Sequence, residues 1–237
     1  MMLKQDIFKI GILALIISSV ICNVYAESPE KEFAHKGLKL YKESKFEEAI
    51  AEFSRAIEIN PKYANAYMRR GICYHDTKKY DLAVADYDKA IIINPKDEWA
   101  HYERAYTYSA KGDLVKAISD YSEAIKEYPE YVEAYANRGF TYIKTGEFDK
   151  AIADYDKAIQ INPKQVRYYS DRGDAYYQKN NYERALSDYT QAIQIGPNPI
   201  LYAKRGHAMW EAARYNLLSA GCSNTFFDFI DLPRLSL

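Results

Sequence analysis

From residue 30 to residue 197 the chain repeats one pattern of apolar and polar positions every 34 residues, in five segments closing near Pro61, Pro95, Pro129, Pro163 and Pro197. Each segment carries a small residue 24 positions before its proline: Gly37, Gly71, Ala105, Gly139 and Gly173. Two alanine columns follow, Ala49, Ala83, Ala117, Ala151 and Ala185, then Ala56, Ala90, Ala124, Ala158 and Ala192. Between them runs an aromatic column of Phe53, Tyr87, Tyr121, Tyr155 and Tyr189. Tyr67, Gly71 and Tyr74 stand at i, i+4 and i+7, and Ala83, Tyr87 and Ala90 repeat that spacing, so each half-segment predicts a helix with one apolar stripe. Two helices per repeat follow.

Between the halves, Gly112, Gly146 and Asn180 supply residues suited to a left-handed helix end, and Glu47, Asp81, Asp149 and Glu183 then suit the start of the next helix. The prolines close each unit because proline cannot continue a helix interior. The columns resemble the tetratricopeptide repeat family, over residues 30 to 197 and, less well, over one further helix. That resemblance implies an all-α fold, a right-handed α-solenoid of helix-turn-helix repeats at 30–63, 64–97, 98–131, 132–165 and 166–198, with residues 199–237 as a degenerate sixth repeat, capping helix and tail. Small residues in the columns would let paired helices approach, with the aromatic column filling the space between neighbouring repeats. One repeat cannot bury its own apolar face, and about three are needed for stability. After Pro197, Tyr202 and Gly206 keep the pattern with one residue lost, Tyr215 falls in the turn column of Phe46, Tyr80, Phe148 and Tyr182, and beyond it the match ends. Phe226, Phe227, Phe229 and Ile230 make the remainder too apolar for a freely solvated tail, so it is expected to fold back on the last repeat, the alternative being a truncated gene or a shifted reading frame.

The first 26 residues break the pattern. Lys4 and Lys9 precede an apolar run from Ile10 to Cys22, and Val24-Tyr25-Ala26 suits signal peptidase, which predicts cleavage after Ala26 and export to a periplasmic or secreted location. The run is shorter than the roughly 20 residues a membrane-spanning helix needs, making an uncleaved anchor the lesser alternative. Lipid attachment at Cys22 is disfavoured by Ile21, where that motif wants a small residue.

Composition narrows the partner. With 32 Lys and Arg against 33 Asp and Glu, interspersed, the chain lacks the gathered basic surplus that nucleic acid requires. The 24 tyrosines against 9 phenylalanines point to a repeated need for a large ring with a polar tip. Catalysis finds no support: His35, His75, His101 and His207 occupy different columns without metal-ligand spacing, Cys73 shares a column of mostly small packing residues, and the acidic pairs recur with the period instead of occurring once. The expectation is a non-enzymatic chain with no cofactor and no metal. Under the resemblance, the first helix of each repeat lines a concave groove whose variable positions choose the ligand. These are Met68, Arg69 and Ile72, then Trp99, Tyr102 and Tyr106, then Asn137, Phe140 and Lys144, then Arg167, Asp171, Asp174 and Tyr177. Their aromatic middle suits a helical or extended peptide anchored by a few apolar side chains, so a partner polypeptide is expected; a glycan stacked on the aromatics, or an envelope-structural role, is the alternative. Some relatives clamp a C-terminal carboxylate with Lys and Asn, then Asn, then Lys and Arg from successive repeats. With Asn137 in the middle, Tyr102 and Tyr106 replace the first pair and Asp171 reverses the last charge, so such a clamp is not expected here.

Two charged columns share the period: Lys36, Arg70, Arg104, Arg138, Arg172 and Arg205 precede the small residue, and Glu52, Asp86, Asp120, Asp154 and Asp188 precede the aromatic one. Pairing each arginine with the preceding repeat's acid, Arg70 with Glu52 through Arg205 with Asp188, uses every arginine and leaves only Lys36 over. The expected result is a run of salt bridges between repeats that holds the groove's curvature.

Overall fold

The computed structural model describes residues 28–219, so the leader expected over residues 1–26 and the tail expected to fold back on the last repeat lie outside the described residues. Those residues form eleven helices and no strand. They divide into two compact units, broken after Pro95. The first holds α1 (Pro29–Lys42), α2 (Phe46–Ile59), α3 (Ala64–Asp76) and α4 (Tyr80–Ile93). The second holds α5 (Glu98–Lys111), α6 (Leu114–Glu127), α7 (Val132–Thr145), α8 (Phe148–Ile161), α9 (Val166–Gln178), α10 (Tyr182–Ile195) and α11 (Pro199–Ser219). Within each unit consecutive helices pack as hairpins that stack on one another: α1/α2 and α3/α4 in the first, α5/α6, α7/α8 and α9/α10 in the second, with α11 capping α10.

The turns explain why each hairpin reverses where it does. Gly112 and Gly146 take φ of 87° and 78°, and Asn180 takes 57°, as the sequence leads one to expect. Ser44 and Lys78, in the same column, adopt φ of 59° and 60° without the aid of glycine. The second helices end on Asn60, Asn94, Tyr128, Asn162 and Gly196, each extended. That conformation is what a following proline imposes on its predecessor.

α11 departs from the rule. Its turn position holds Ala213, a strong helix former that resists the left-handed conformation, so the helix continues unbroken through Tyr215 to Ser219. The turn expected at Tyr215 is therefore absent, and the Tyr215 ring lies against Tyr182 of α10 instead.

The core repeats with the sequence. Phe53, Tyr87, Tyr121, Tyr155 and Tyr189 are all buried, as are both alanine columns. A Cβ built on Gly71 would stand 2.7 Å from Tyr87 Cε1, and one on Gly173 the same distance from Tyr189 Cε1. The ring therefore lies first against the glycine of its own hairpin and sets the separation of the paired helices. Its cluster also reaches forward, as where Tyr155 packs with Tyr168 and Ala175 of α9. The aromatic column thus fills both spaces, where the sequence suggested only the one between repeats.

The charged columns pair differently from expectation. Arg70 donates from Nε and Nη2 to both carboxylate oxygens of Asp86 at 2.8 Å. Arg104 with Asp120, Arg138 with Asp154 and Arg172 with Asp188 repeat this fork, and Lys36 donates to Glu52 at 2.8 Å. Each bridge ties the two helices of one hairpin, and the pairing of each arginine with the preceding column acid is overturned. The ring-on-glycine contact is the reason. It brings residue i of the first helix beside residue i+16 of the second, and the arginine and acid sit one position before each partner. Neighbouring hairpins are joined by the third arm of the fork: Nη1 of Arg70 reaches Ser54 Oγ at 2.8 Å, that of Arg138 reaches Ser122 Oγ at 2.9 Å, and that of Arg172 reaches Asp156 at 2.5 Å. Arg205 lies over the Tyr202 ring.

Two expectations follow for stability, both read from urea denaturation midpoints. Arg138→Ala strands the buried Asp154 and should cost about 3–5 kcal/mol, whereas Arg205→Ala should change stability by no more than about 0.5 kcal/mol. Equal losses at the two sites would restore the pairing between repeats. Gly173→Ala drives a methyl into the buried Tyr189 ring and should cost about 1–3 kcal/mol. Gly206→Ala, where a Cβ meets nothing within 4 Å, should instead stabilise α11 by about 0.5–1 kcal/mol.

Candidate functional site

A helix that buries one stripe leaves another to solvent, and the first helices present part of their variable positions on that open face. In the second unit this face carries Trp99, Tyr106 and Phe140 at 38%, 45% and 39% exposure. Large rings held this open on rigid helices are contact surface at low conformational cost.

A chain of hydrogen bonds crosses three successive hairpins beside them. Asn137 Nδ2 donates to the Tyr102 hydroxyl at 2.8 Å, Arg167 Nη2 donates to Asn137 Oδ1 at 3.3 Å, and Arg167 Nε donates to Asp171 Oδ2 at 3.1 Å. Tyr155 closes the chain from within the core, its hydroxyl donating to Asp171 at 3.2 Å. Asp174 is held in the same way, by the Tyr189 hydroxyl at 2.8 Å and by Lys204 of α11 at 2.6 Å. Burial pushes the Asp171 carboxyl above the usual carboxylate range against the opposing pull of Arg167, and burial likewise pushes up the Tyr102 hydroxyl, which stays neutral. The Tyr102 ring is fixed between Tyr121 and Tyr131, at centroid distances of 5.7 and 4.8 Å.

Tyr102, Asn137, Arg167 and Asp171 are thus brought into one network, and Asp174 into a second with Lys204. Trp99 donates from its indole to Glu103 one turn along at 2.9 Å. Phe140 lies beneath two cations, Lys144 Nζ at 4.7 Å and Arg167 Cζ at 5.8 Å from its centroid. Tyr177 packs edge-on against Tyr182. In the first unit, Met68 is buried at 3% exposure and offers no surface, while Arg69 and Ile72 are half-buried. Sequence reasoning missed Tyr155, Tyr189 and Lys204 as supports of the face. The tyrosines were legible in part, since a polar tip was already implied by tyrosine in place of phenylalanine.

Beyond Arg167 the face opens into a recess of about 590 Å³ between the start of α9 and the start of α11. Val166, Ile200 and Leu201 form apolar walls, and Ser170, Asp171 and Asn198 supply polar ones. Among the described residues no group of His, Cys, Asp or Glu side chains is arranged to hold a metal ion, and no helix is long and apolar enough to cross a membrane. Burial pushes the Cys73 thiol up to about 12, away from nucleophilic use.

Compared by sequence with characterised proteins, the chain finds no match. Compared by structure, it is similar to MamA, with 25% identity and a TM-score of 0.66 over 70% of this chain and 91% of that one. It is also similar to YrrB, described as a TPR protein with an unusual peptide-binding site, at 22% identity and a TM-score of 0.64 over 73% and 90% of the two chains. A tetratricopeptide repeat protein from Parabacteroides merdae aligns at 23% identity and a TM-score of 0.69 over 81% and 76%. Family profiles agree with the period read from the columns. Tetratricopeptide repeat profiles match residues 64–97, 132–165 and 86–119, and a TPR repeat profile matches 37–78 and 173–212. The chain belongs to the tetratricopeptide repeat family.

Proposed function

We propose that this protein is a non-enzymatic scaffold that binds a partner polypeptide along the first-helix face of its repeats, and that it acts after export from the cytoplasm. The observation that carries the binding reading is the row of partly exposed rings, Trp99, Tyr106 and Phe140, set beside a hydrogen-bonded base that spans three hairpins. A base already satisfied internally does not have to reorganise when a ligand arrives, which lowers the cost of ordering on binding. The rings offer the apolar anchors that a peptide side chain needs, and the adjoining polar groups can accept or donate to its backbone. The peptide-binding site named for YrrB supports the same use of this fold. The export reading is supported by the leader pattern of residues 1–26.

Crosslinked pull-down with the purified protein is expected to retain a partner that Trp99→Ala and Tyr106→Ala each weaken at least tenfold without lowering the melting temperature. A polysaccharide sedimentation assay run beside it decides the alternative: co-sedimentation abolished by those substitutions, with every protein partner retained, would replace the polypeptide by a glycan. N-terminal sequencing of the protein from its native host is expected to begin at Glu27; a chain beginning at Met1 would contradict cleavage and export by this leader.

A further inference from the structure

We infer that the open face of α11 is the docking surface for this chain's own residues 222–232, which return along it as a displaced sixth hairpin and seat the Phe229 ring on Ala213. That segment lies outside the described residues, and its place follows from the face it has to cover and from the register of the five hairpins before it.

α11 is apolar on two opposite sides. Leu201 and Ala208 are buried with residues of α10. Tyr202, Gly206, Met209, Ala213 and Leu217, at i, i+4, i+7, i+11 and i+15, form a second stripe that is exposed along its whole length. A helix apolar on both sides is one that a folded protein covers on both. The small-column residues of the first five hairpins, Gly37, Gly71, Ala105, Gly139 and Gly173, are all buried, whereas Gly206 and Ala213 on this stripe are both open.

Register selects the occupant. Each ring stands sixteen residues after the small residue it covers, as Tyr87 does after Gly71 and Tyr189 after Gly173. Sixteen residues after Gly206 stands Cys222, which carries no ring, and the turn that this spacing needs at Ala213 is absent because the helix runs on. Among the large apolar residues beyond α11, the same spacing sets Phe226 against Trp210, Phe227 against Glu211 and Ile230 against Arg214. Phe229 alone meets a small exposed residue, Ala213. Ala213 lies seven residues beyond Gly206, about two helical turns, and therefore on the same stripe.

The other columns then fall into place. Asp228 precedes the ring as Glu52, Asp86, Asp120, Asp154 and Asp188 do, and Thr225 and Leu232 take the two alanine positions. Phe226 takes the half-buried apolar column of Ile50, Val84, Ile118, Ile152 and Leu186. Gly221 stands one place after the turn column and reverses the chain at no steric cost, and Pro233 ends the segment one turn past the ring. Phe227 falls in the column of Ala51, Ala85, Ser119, Ala153 and Ser187, exposed in every hairpin. Gly206 faces Ser236 and receives no ring. One column departs: Ala212 stands where the other hairpins place a lysine or arginine.

Hydrogen exchange of the full-length protein tests the docking, and melting tests its register. Phe229→Asp is expected to speed exchange of the amides of residues 206–217 at least tenfold and to leave α5 to α10 unchanged, whereas Phe227→Asp is expected to change neither. Ala212→Arg supplies the missing base opposite Asp228 and is expected to raise the melting temperature by about 2–4 °C, a gain that Asp228→Asn removes. Equal effects of the two phenylalanine substitutions would mean an apolar tail without register, and no effect of either would mean that the tail does not cover α11; both overturn the inference. No gain from Ala212→Arg, or one that survives Asp228→Asn, would overturn it as well. A parent protein that sediments as a dimer and becomes a monomer on Met209→Asp would give the face to a second copy of the chain instead.

Discussion

Everything in this fold depends on the contact between an aromatic ring and a residue with little or no side chain. Where Tyr87 lies on Gly71 and Tyr189 on Gly173, not even a methyl group fits between them, so the two helices of a hairpin are held at one separation and one register. With register settled, the residue before the small position and the residue before the ring must meet, and they are an arginine and an acid. The fork between them is a consequence of the packing and then reinforces it, because its planar geometry admits only one angle between the helices. The guanidinium's remaining arm reaches back to Ser54, Ser122 or Asp156, so a single side chain both closes a hairpin and fastens it to the one before.

The same economy shapes the candidate ligand face. Tyr155 and Tyr189 bury their rings in the core and present their hydroxyls to Asp171 and Asp174 of α9. A phenylalanine in that column, as at Phe53, keeps the packing and lacks the polar tip. At these two positions the choice of tyrosine has a physical account: scaffold rings that also position carboxylates of α9. Local departures from the repeat are equally informative. Ala213 in place of a left-handed turn residue converts what would be a sixth hairpin into one long capping helix, and Gly206 on that helix has no ring to receive.

Much of this was legible in the chain itself. Helix number, the turn positions at Gly112, Gly146 and Asn180, the buried columns and the family all follow from residues repeated at one spacing, because periodic burial leaves a periodic signature. The left-handed turns at Ser44 and Lys78 were not, since neither residue favours that conformation and only the hairpin geometry around them enforces it. The aromatic and charged variable positions could be named from their columns, but not their connections: nothing in the spacing of Tyr102, Asn137, Arg167 and Asp171 says that they form one chain of hydrogen bonds.

The pairing of the charged columns marks the boundary between the two kinds of knowledge. By itself the sequence determined that an arginine and an acid recur together, and therefore that ion pairs are part of the scaffold. Counting favoured bridges between repeats, since that scheme left no arginine over. Only the tertiary structure decided that Arg138 binds Asp154 within its own hairpin, with Ser122 of the preceding one taking the third arm. The reason is that a period gives the spacing of like positions along the chain and carries no information about which neighbour a side chain faces. That choice is made by the approach of two helices, set here by a ring seated on a glycine.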